Sequence, residues 1–208
     1  MTTTRMPAGV RAVVFDVGET LVDETRAWKA QAERAGVTPF TLMALLGALI
    51  GRDEDHRRVW DLLGVEPPVV PPLIERADLY PDALACLRAA RHAGLSVGIA
   101  GNQPAGVEAQ LREAGFNADF IASSAAWGAA KPSAEFFSRI IDTAQLDPGQ
   151  ILYVGDRIDN DVLPARKAGM RTAFVRRGPW GYLHAQRPEV ELADMRIESL
   201  AELTMAFE

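Results

Sequence analysis

The chain has one cysteine, Cys86, in 208 residues, so no disulfide can form within it. Cys86 falls on the apolar face of a predicted helix, where a thiol packs as a small hydrophobe rather than serving as a nucleophile. Histidine is equally scarce: His56, His92 and His184 show no metal-ligand spacing and are assigned no catalytic role. Basic charge is short, with 22 Lys and Arg against 28 Asp and Glu and a formal net charge of −6. That balance excludes a nucleic-acid or anionic-membrane surface, since either requires a basic face. Long hydrophobic runs are missing too. The longest, 40–50, is too short to span a bilayer and predicts a buried helix, and the opening MTTTRMPAG has no apolar stretch of the signal-peptide kind. These absences point to a cytoplasmic location. No repeat or low-complexity segment is present.

What is present fits an ordinary globular protein, 48% apolar and 24% charged, with length for one good core and a smaller accessory unit. The stretch 11–22, RAVVFDVGETLV, organises the rest: the apolar run of Val13, Val14 and Phe15 stops at Asp16, with Gly18 and Thr20 following. Such a run reads as a buried strand. A carboxylate at its end either caps the next segment or stands in the crevice where α/β sheets bind ligands. Helical composition follows over 24–35, 40–50 and 53–63, with Thr38 and Pro39 as cap and first helical residue and glycines as stops. VEPPVVPP at 65–72 is a proline-rich hinge. Three helices without a strand predict a separate helical unit over 24–80. From 81 onward helix and strand alternate: helices at 82–93, 104–114, 132–144 and 163–168, strands at 95–100, 120–122, 151–154 and 172–175, and a last pair within 195–207. Alternation of this kind predicts an α/β fold, a three-layer Rossmann-like parallel sheet assembled from 1–23 and 81–208.

A second apolar strand runs into carboxylates at 151–161, ILYVGDRIDND, where Asp156 is followed by Asp159 and Asp161. Carboxylates gathered in one crevice repel one another unless protons or a cation intervene, and hard oxygen ligands suit Mg²⁺. Lys131, before Pro132 at a loop-to-helix transition, could neutralise charge on a nucleophile and on an anionic substrate. The plainer alternatives are that Asp161 caps the helix through Pro164, Asp159 faces solvent and Lys131 lies on the surface.

FDVGETL, GIAGN, KPSAEFF and VGDRIDNDVLPARKAGM together resemble the four successive motifs of the haloacid dehalogenase-like hydrolases, most of which are Mg²⁺-dependent phosphatases. The resemblance runs from residue 11 to the C-terminus, with only the helical segment poorly matched. It implies a central nucleophile strand and a helical cap between the first two motifs. It also implies that Asp16 is a nucleophile forming an aspartyl-phosphate, that Asp16, the Gly18 carbonyl and Asp156 hold Mg²⁺, and that Lys131 holds Asp16 and the phosphoryl group. Asp161 would orient Lys131 or the waters of the metal.

Two positions depart from the pattern. Gly18 stands where the family places a second Asp, the general acid/base, whose loss typically costs a factor of ~10²–10⁴. Glu19 could substitute, although neighbouring loop residues usually point apart. Gly101 stands where a Ser or Thr contacts the phosphoryl group, a loss of roughly 10²–10³ by analogy with an anion-hole donor. Asn102 is either a substrate contact or a turn residue. The leading reading is a slow hydrolase of a small phosphorylated metabolite. The alternatives are a non-catalytic phosphate- or metal-binding protein and a dehalogenase, which the retained Asp156 disfavours; a receiver domain is excluded by length and by a nucleophile on the first strand. Trp28, Met43 and Trp60 read as core of the helical unit, Trp127 and Gly128 as shaping the Lys131 loop, and Arg176, Arg177 and Trp180 as a solvated loop. An apolar cap surface could support a homodimer.

Overall fold

A computed structural model of the chain describes residues 5–69 and 73–207. Residues 70–72 of the expected hinge lie outside the described residues. Six strands form one sheet: β1 (Ala12–Phe15), β2 (Ser96–Gly101), β3 (Phe120–Ser123), β4 (Ile151–Gly155), β5 (Arg171–Val175) and β6 (Met195–Ile197). Their spatial order is β3-β2-β1-β4-β5-β6 and every pairing is parallel. The chain winds outward from β1 to β3 and then returns to β4 on the other side, so the topological switch point lies beside β1, where ligands bind in sheets of this type.

Both faces of the sheet are covered, which is why its strands read as apolar runs rather than as alternation. On one face Val13, Phe15, Ile99 and Val154 pack with residues of α4 (Ala83–His92), α5 (Val107–Glu113) and α10 (Leu200–Met205). On the other, Val14, Ala100 and Tyr153 pack with Phe136, Phe137 and Ile140 of α7 (Ala134–Ala144) and Ala165 of α8 (Leu163–Lys167). This is the three-layer Rossmann-like architecture expected. Cys86 is part of the first cluster, and burial pushes its thiol up to about 12. The last turn of β3 leads into a short helix, Ser124–Trp127, and β5 into another, Gly178–His184; neither follows from the sequence pattern, because each is too short to show a period.

The chain divides into two compact units, one comprising the residues up to Asp23 and those from Ile74 onward, the other Glu24–Leu73. The second unit carries the helices Thr25–Arg34, Pro39–Gly51 and Val59–Leu63. Thr38 caps the middle helix by accepting from the Thr41 N–H at 3.2 Å. That helix is buried on one side only: Leu42, Leu46, Leu49 and Ile50 are covered, whereas Phe40 is 84% exposed. The unit ends at Leu73 rather than at residue 80. Residues 78–80 are zipped to the chain leaving β1, with Asp23 N–H donating to the Asp78 carbonyl at 2.8 Å and Tyr80 N–H to that of Leu21 at 3.0 Å. No single helix among the described residues is long and apolar enough to cross a membrane.

Candidate active site

Asp16 continues β1 by one residue, and its N–H donates to the Val154 carbonyl of β4 at 2.8 Å. Because Phe15 pairs with Val154, the residue after β1 and the residue after β4, Asp156, emerge side by side at the same edge of the sheet. Asp161 comes from a π-helical turn, Ile158–Val162, and lies across the end of β4. Gly155 makes that possible, since a side chain there would overlap the Asp161 carboxylate. Lys131 reaches in from the loop before α7. Its ammonium bridges the two carboxylates, 2.7 Å from Asp16 Oδ1 and 2.6 Å from Asp161 Oδ1, and is almost wholly enclosed. Asp16, Asp156 and Asp161 each present an oxygen within 4.8 Å of the others.

The sequence-predicted residues Asp16, Lys131, Asp156 and Asp161 therefore come together. Asp161 does not cap the following helix, as the sequence suggested: its Oδ2 accepts from the Arg157 N–H at 3.0 Å, and the helix start at Leu163 has no side-chain cap. Asn102 brackets Lys131, accepting from its N–H at 2.8 Å and donating to its carbonyl at 2.9 Å, which makes Asn102 a positioning residue for the lysine. Gly101 lies against Asp16: a Cβ there would stand 2.5 Å from Asp16 Oδ1 and 3.2 Å from Val17 Cγ2. Tyr153, which the sequence did not single out, lies beneath Lys131 and donates from its hydroxyl to the Ala100 carbonyl at 2.9 Å.

Burial and mutual repulsion dominate the electrostatics. Burial, then the charges of Asp161 and Asp16, push Asp156 well above the usual carboxylate range. Asp161 is raised by burial to about 6, against the pull of Lys131. Burial opposes the Lys131 ammonium, but the Asp16 and Asp161 carboxylates outweigh it and hold the pKa well above normal. Three buried carboxylates against one ammonium leave an excess of negative charge, and every donor is a hard oxygen. A small divalent cation such as Mg²⁺ fits that donor set.

Glu19 has not moved into the place of the missing acid. It takes a left-handed φ of 50°, and its carboxylate accepts from the Tyr80 hydroxyl at 2.5 Å while packing against Gly178. Arg177 and Trp180 are buried, contrary to the solvated loop expected after the strand. The Arg177 guanidinium lies 4.2 Å from the centre of the Tyr80 ring, donates to the Thr20 carbonyl at 2.9 Å and pairs with Asp82. Trp180 packs under Arg157, and His184 Nδ1 accepts from the Ile158 N–H at 3.0 Å, so the Gly178–His184 helix braces the turn that carries Asp161. Single residues of this sort leave no sequence signal, because their partners are distant along the chain.

Comparison with known proteins accords with this geometry. Several curated relatives are named as phosphatases. A glyceraldehyde 3-phosphate phosphatase of Methanopyrus kandleri is 26% identical over 93% of this chain and 95% of its own length. One of the same description from Methanocaldococcus jannaschii is 34% identical over 41% of this chain, which spans only 36% of that relative. A phosphoserine phosphatase of Thermus thermophilus is 34% identical over 63% of this chain and 52% of its own length. Among solved structures, the fold is shared with a HAD phosphatase from Thermococcus onnurineus (TM-score 0.61, 23% identity, 94% of this chain and 97% of the other). It is shared equally with an L-2-haloacid dehalogenase from Xanthobacter autotrophicus (TM-score 0.64, 21% identity, 94% and 97%). The family model for haloacid dehalogenase-like hydrolases matches residues 10–169, a span that takes in β1, the Lys131 loop and the whole carboxylate cluster; the chain belongs to that family.

Proposed function

We propose that this chain is a Mg²⁺-dependent hydrolase of a small phosphorylated compound, with Asp16 as the nucleophile. The observation that carries the reading is the buried Lys131 ammonium bridging Asp16 Oδ1 and Asp161 Oδ1, with Asp156 alongside. An isolated surface carboxylate needs no such enclosure. In this reading Asp16, Asp156 and the Gly18 carbonyl hold Mg²⁺, which when bound supplies positive charge to the phosphoryl oxygens. Lys131 orients Asp16, Asp161 and Asn102 fix Lys131, and the backbone at Gly101 offers N–H groups to the phosphoryl oxygens. The phosphatase names of the relatives support a small phosphorylated substrate. The retained Asp156 disfavours dehalogenation.

One observation favours a second reading, a phosphate- or metal-binding protein without turnover. Gly18 has no side chain, and the Glu19 carboxylate is engaged by Tyr80. Phosphate release from an aryl phosphate, with and without Mg²⁺ and compared with Asp16→Asn, separates the two. We expect Mg²⁺-dependent release that the Asp16→Asn substitution lowers by about 10³-fold or more. Release that is absent, or unchanged in the variant, overturns the hydrolase reading.

A further inference from the structure

The chemistry left to this site follows from which groups around Asp16 can hand over a proton. Gly18 has none to give. The Glu19 carboxylate accepts the Tyr80 hydroxyl and is wedged against Gly178. Asp161 uses one oxygen on Lys131 and the other on the Arg157 N–H. Asp159 spends both of its oxygens on the Arg157 guanidinium, at 3.1 and 2.6 Å. His184 Nδ1 is occupied as an acceptor by the Ile158 N–H, and the Tyr153 hydroxyl proton lies on the Ala100 carbonyl. Lys131 is locked as a cation between two carboxylates. Asp156 is assigned above to the cation. Among the described residues of the unit that carries the nucleophile, the other acidic groups named here are therefore already committed.

We propose that the site takes phosphoryl groups from activated donors, acyl phosphates and related mixed anhydrides, in preference to alkyl phosphate esters, and that phosphoryl-Asp16 persists between turnovers. The inference rests on the phosphoryl-transfer reading above. In the first step an Asp16 carboxylate oxygen forms a bond to phosphorus, and the bond from phosphorus to the leaving oxygen breaks with its electron pair. An alkoxide, whose parent alcohol has a pKa of about 16 like that of water, needs a proton as it departs. A carboxylate, with a pKa of about 4, leaves as the stable anion and needs none. In the second step water attacks the phosphorus and Asp16 departs as a carboxylate. The proton of the water must pass to solvent, since among the described residues of this unit the groups named above are already engaged. A missing general acid/base slows each assisted step by about 10²–10⁴-fold. The first step escapes that penalty with an anhydride donor and the second does not, so the covalent species accumulates.

The test uses the full chain with Mg²⁺ and three donors: acetyl phosphate, p-nitrophenyl phosphate and glycerol phosphate. Single-turnover phosphorylation is followed by intact-protein mass. We expect rates to fall in that order, the alkyl ester at least ~10²-fold below acetyl phosphate, and an adduct of one phosphoryl group that Asp16→Asn abolishes. Gly18→Asp should narrow the gap and shorten the lifetime of the adduct. Rates within tenfold across the series, or steady turnover of acetyl phosphate with no trapped adduct, overturn the inference and leave the hydrolase reading standing. No adduct and no phosphate release from any donor overturns both.

Discussion

Gly101 shows how a single residue changes meaning once its neighbours are placed. Along the chain it reads as a lost hydroxyl, one that a serine would restore. In space the missing side chain is where the Asp16 carboxylate lies, with Oδ1 2.5 Å from the position a Cβ would take. That oxygen is also the one held by Lys131, so it cannot yield without loosening the ion pair. Gly101→Ser is therefore expected to lower phosphorylation of Asp16 by acetyl phosphate, by roughly 10²-fold for a displacement near 1 Å, with far-UV circular dichroism unchanged. A faster variant would mean that the hydroxyl outweighs the crowding. Gly155 obeys the same logic at the end of β4, on the other side of β1, where the Asp161 carboxylate takes the space of its side chain. Two glycines at the ends of the strands that flank β1 thus let the carboxylates approach the lysine.

At the scale of elements, the π-helical turn Ile158–Val162 is the least regular piece of the site, and it is held from outside. The Gly178–His184 helix grips it with His184 Nδ1 on the Ile158 N–H and with Trp180 beneath Arg157. Removing the acceptor leaves a buried N–H without a partner, at a cost of about 1–3 kcal/mol. His184→Leu should lose about that much in urea denaturation. His184→Asn, which places an amide oxygen near the position of Nδ1, should recover much of it. Equal losses in the two variants would assign the effect to packing. The strands were legible because burial on both faces makes each an apolar run between glycine or polar stops, as Ile151–Gly155 illustrates. The Gly178–His184 helix was not legible: it is short, opens with Gly178 and Pro179, and owes its burial to partners more than twenty residues away.

At the scale of the whole molecule, the site is an electrostatic load on the fold. Asp156 and Asp161 bind protons more tightly in the folded chain than in the unfolded one, where the ordinary value is 3.8. Their contribution to stability is fully present below that value and is lost as pH rises through the raised folded values. At pH 8 the metal-free protein carries more of the cost of the buried charges than at pH 5. Asp156→Asn should then raise the melting temperature of the metal-free protein at pH 8, by about 2–4 °C for each kcal/mol relieved, and should do so less at pH 5. Mg²⁺ should raise the melting temperature of the parent more at pH 8 than at pH 5, and that of the variant hardly at all. A melting temperature lowered by the substitution at pH 8 would contradict the assignment of Asp156 as a strained, cation-seeking group. Relief of such a group at the expense of activity is the usual trade between stability and function.

The sequence alone determined the sheet, its parallel winding and the identity of the charged cluster. Apolar strands that end in Asp16 and Asp156, with Lys131 between them, record burial and chemistry in the type and order of residues. Only the tertiary structure decided which oxygen meets which nitrogen. Asn102 proved to hold the Lys131 backbone, Glu19 to belong to Tyr80 rather than to the cluster, and Arg177 and His184 to be buried supports. The reason is physical. Burial of an element is a property of many residues in a row and leaves a pattern, whereas the direction of one side chain is set by a few partners far along the chain and leaves none.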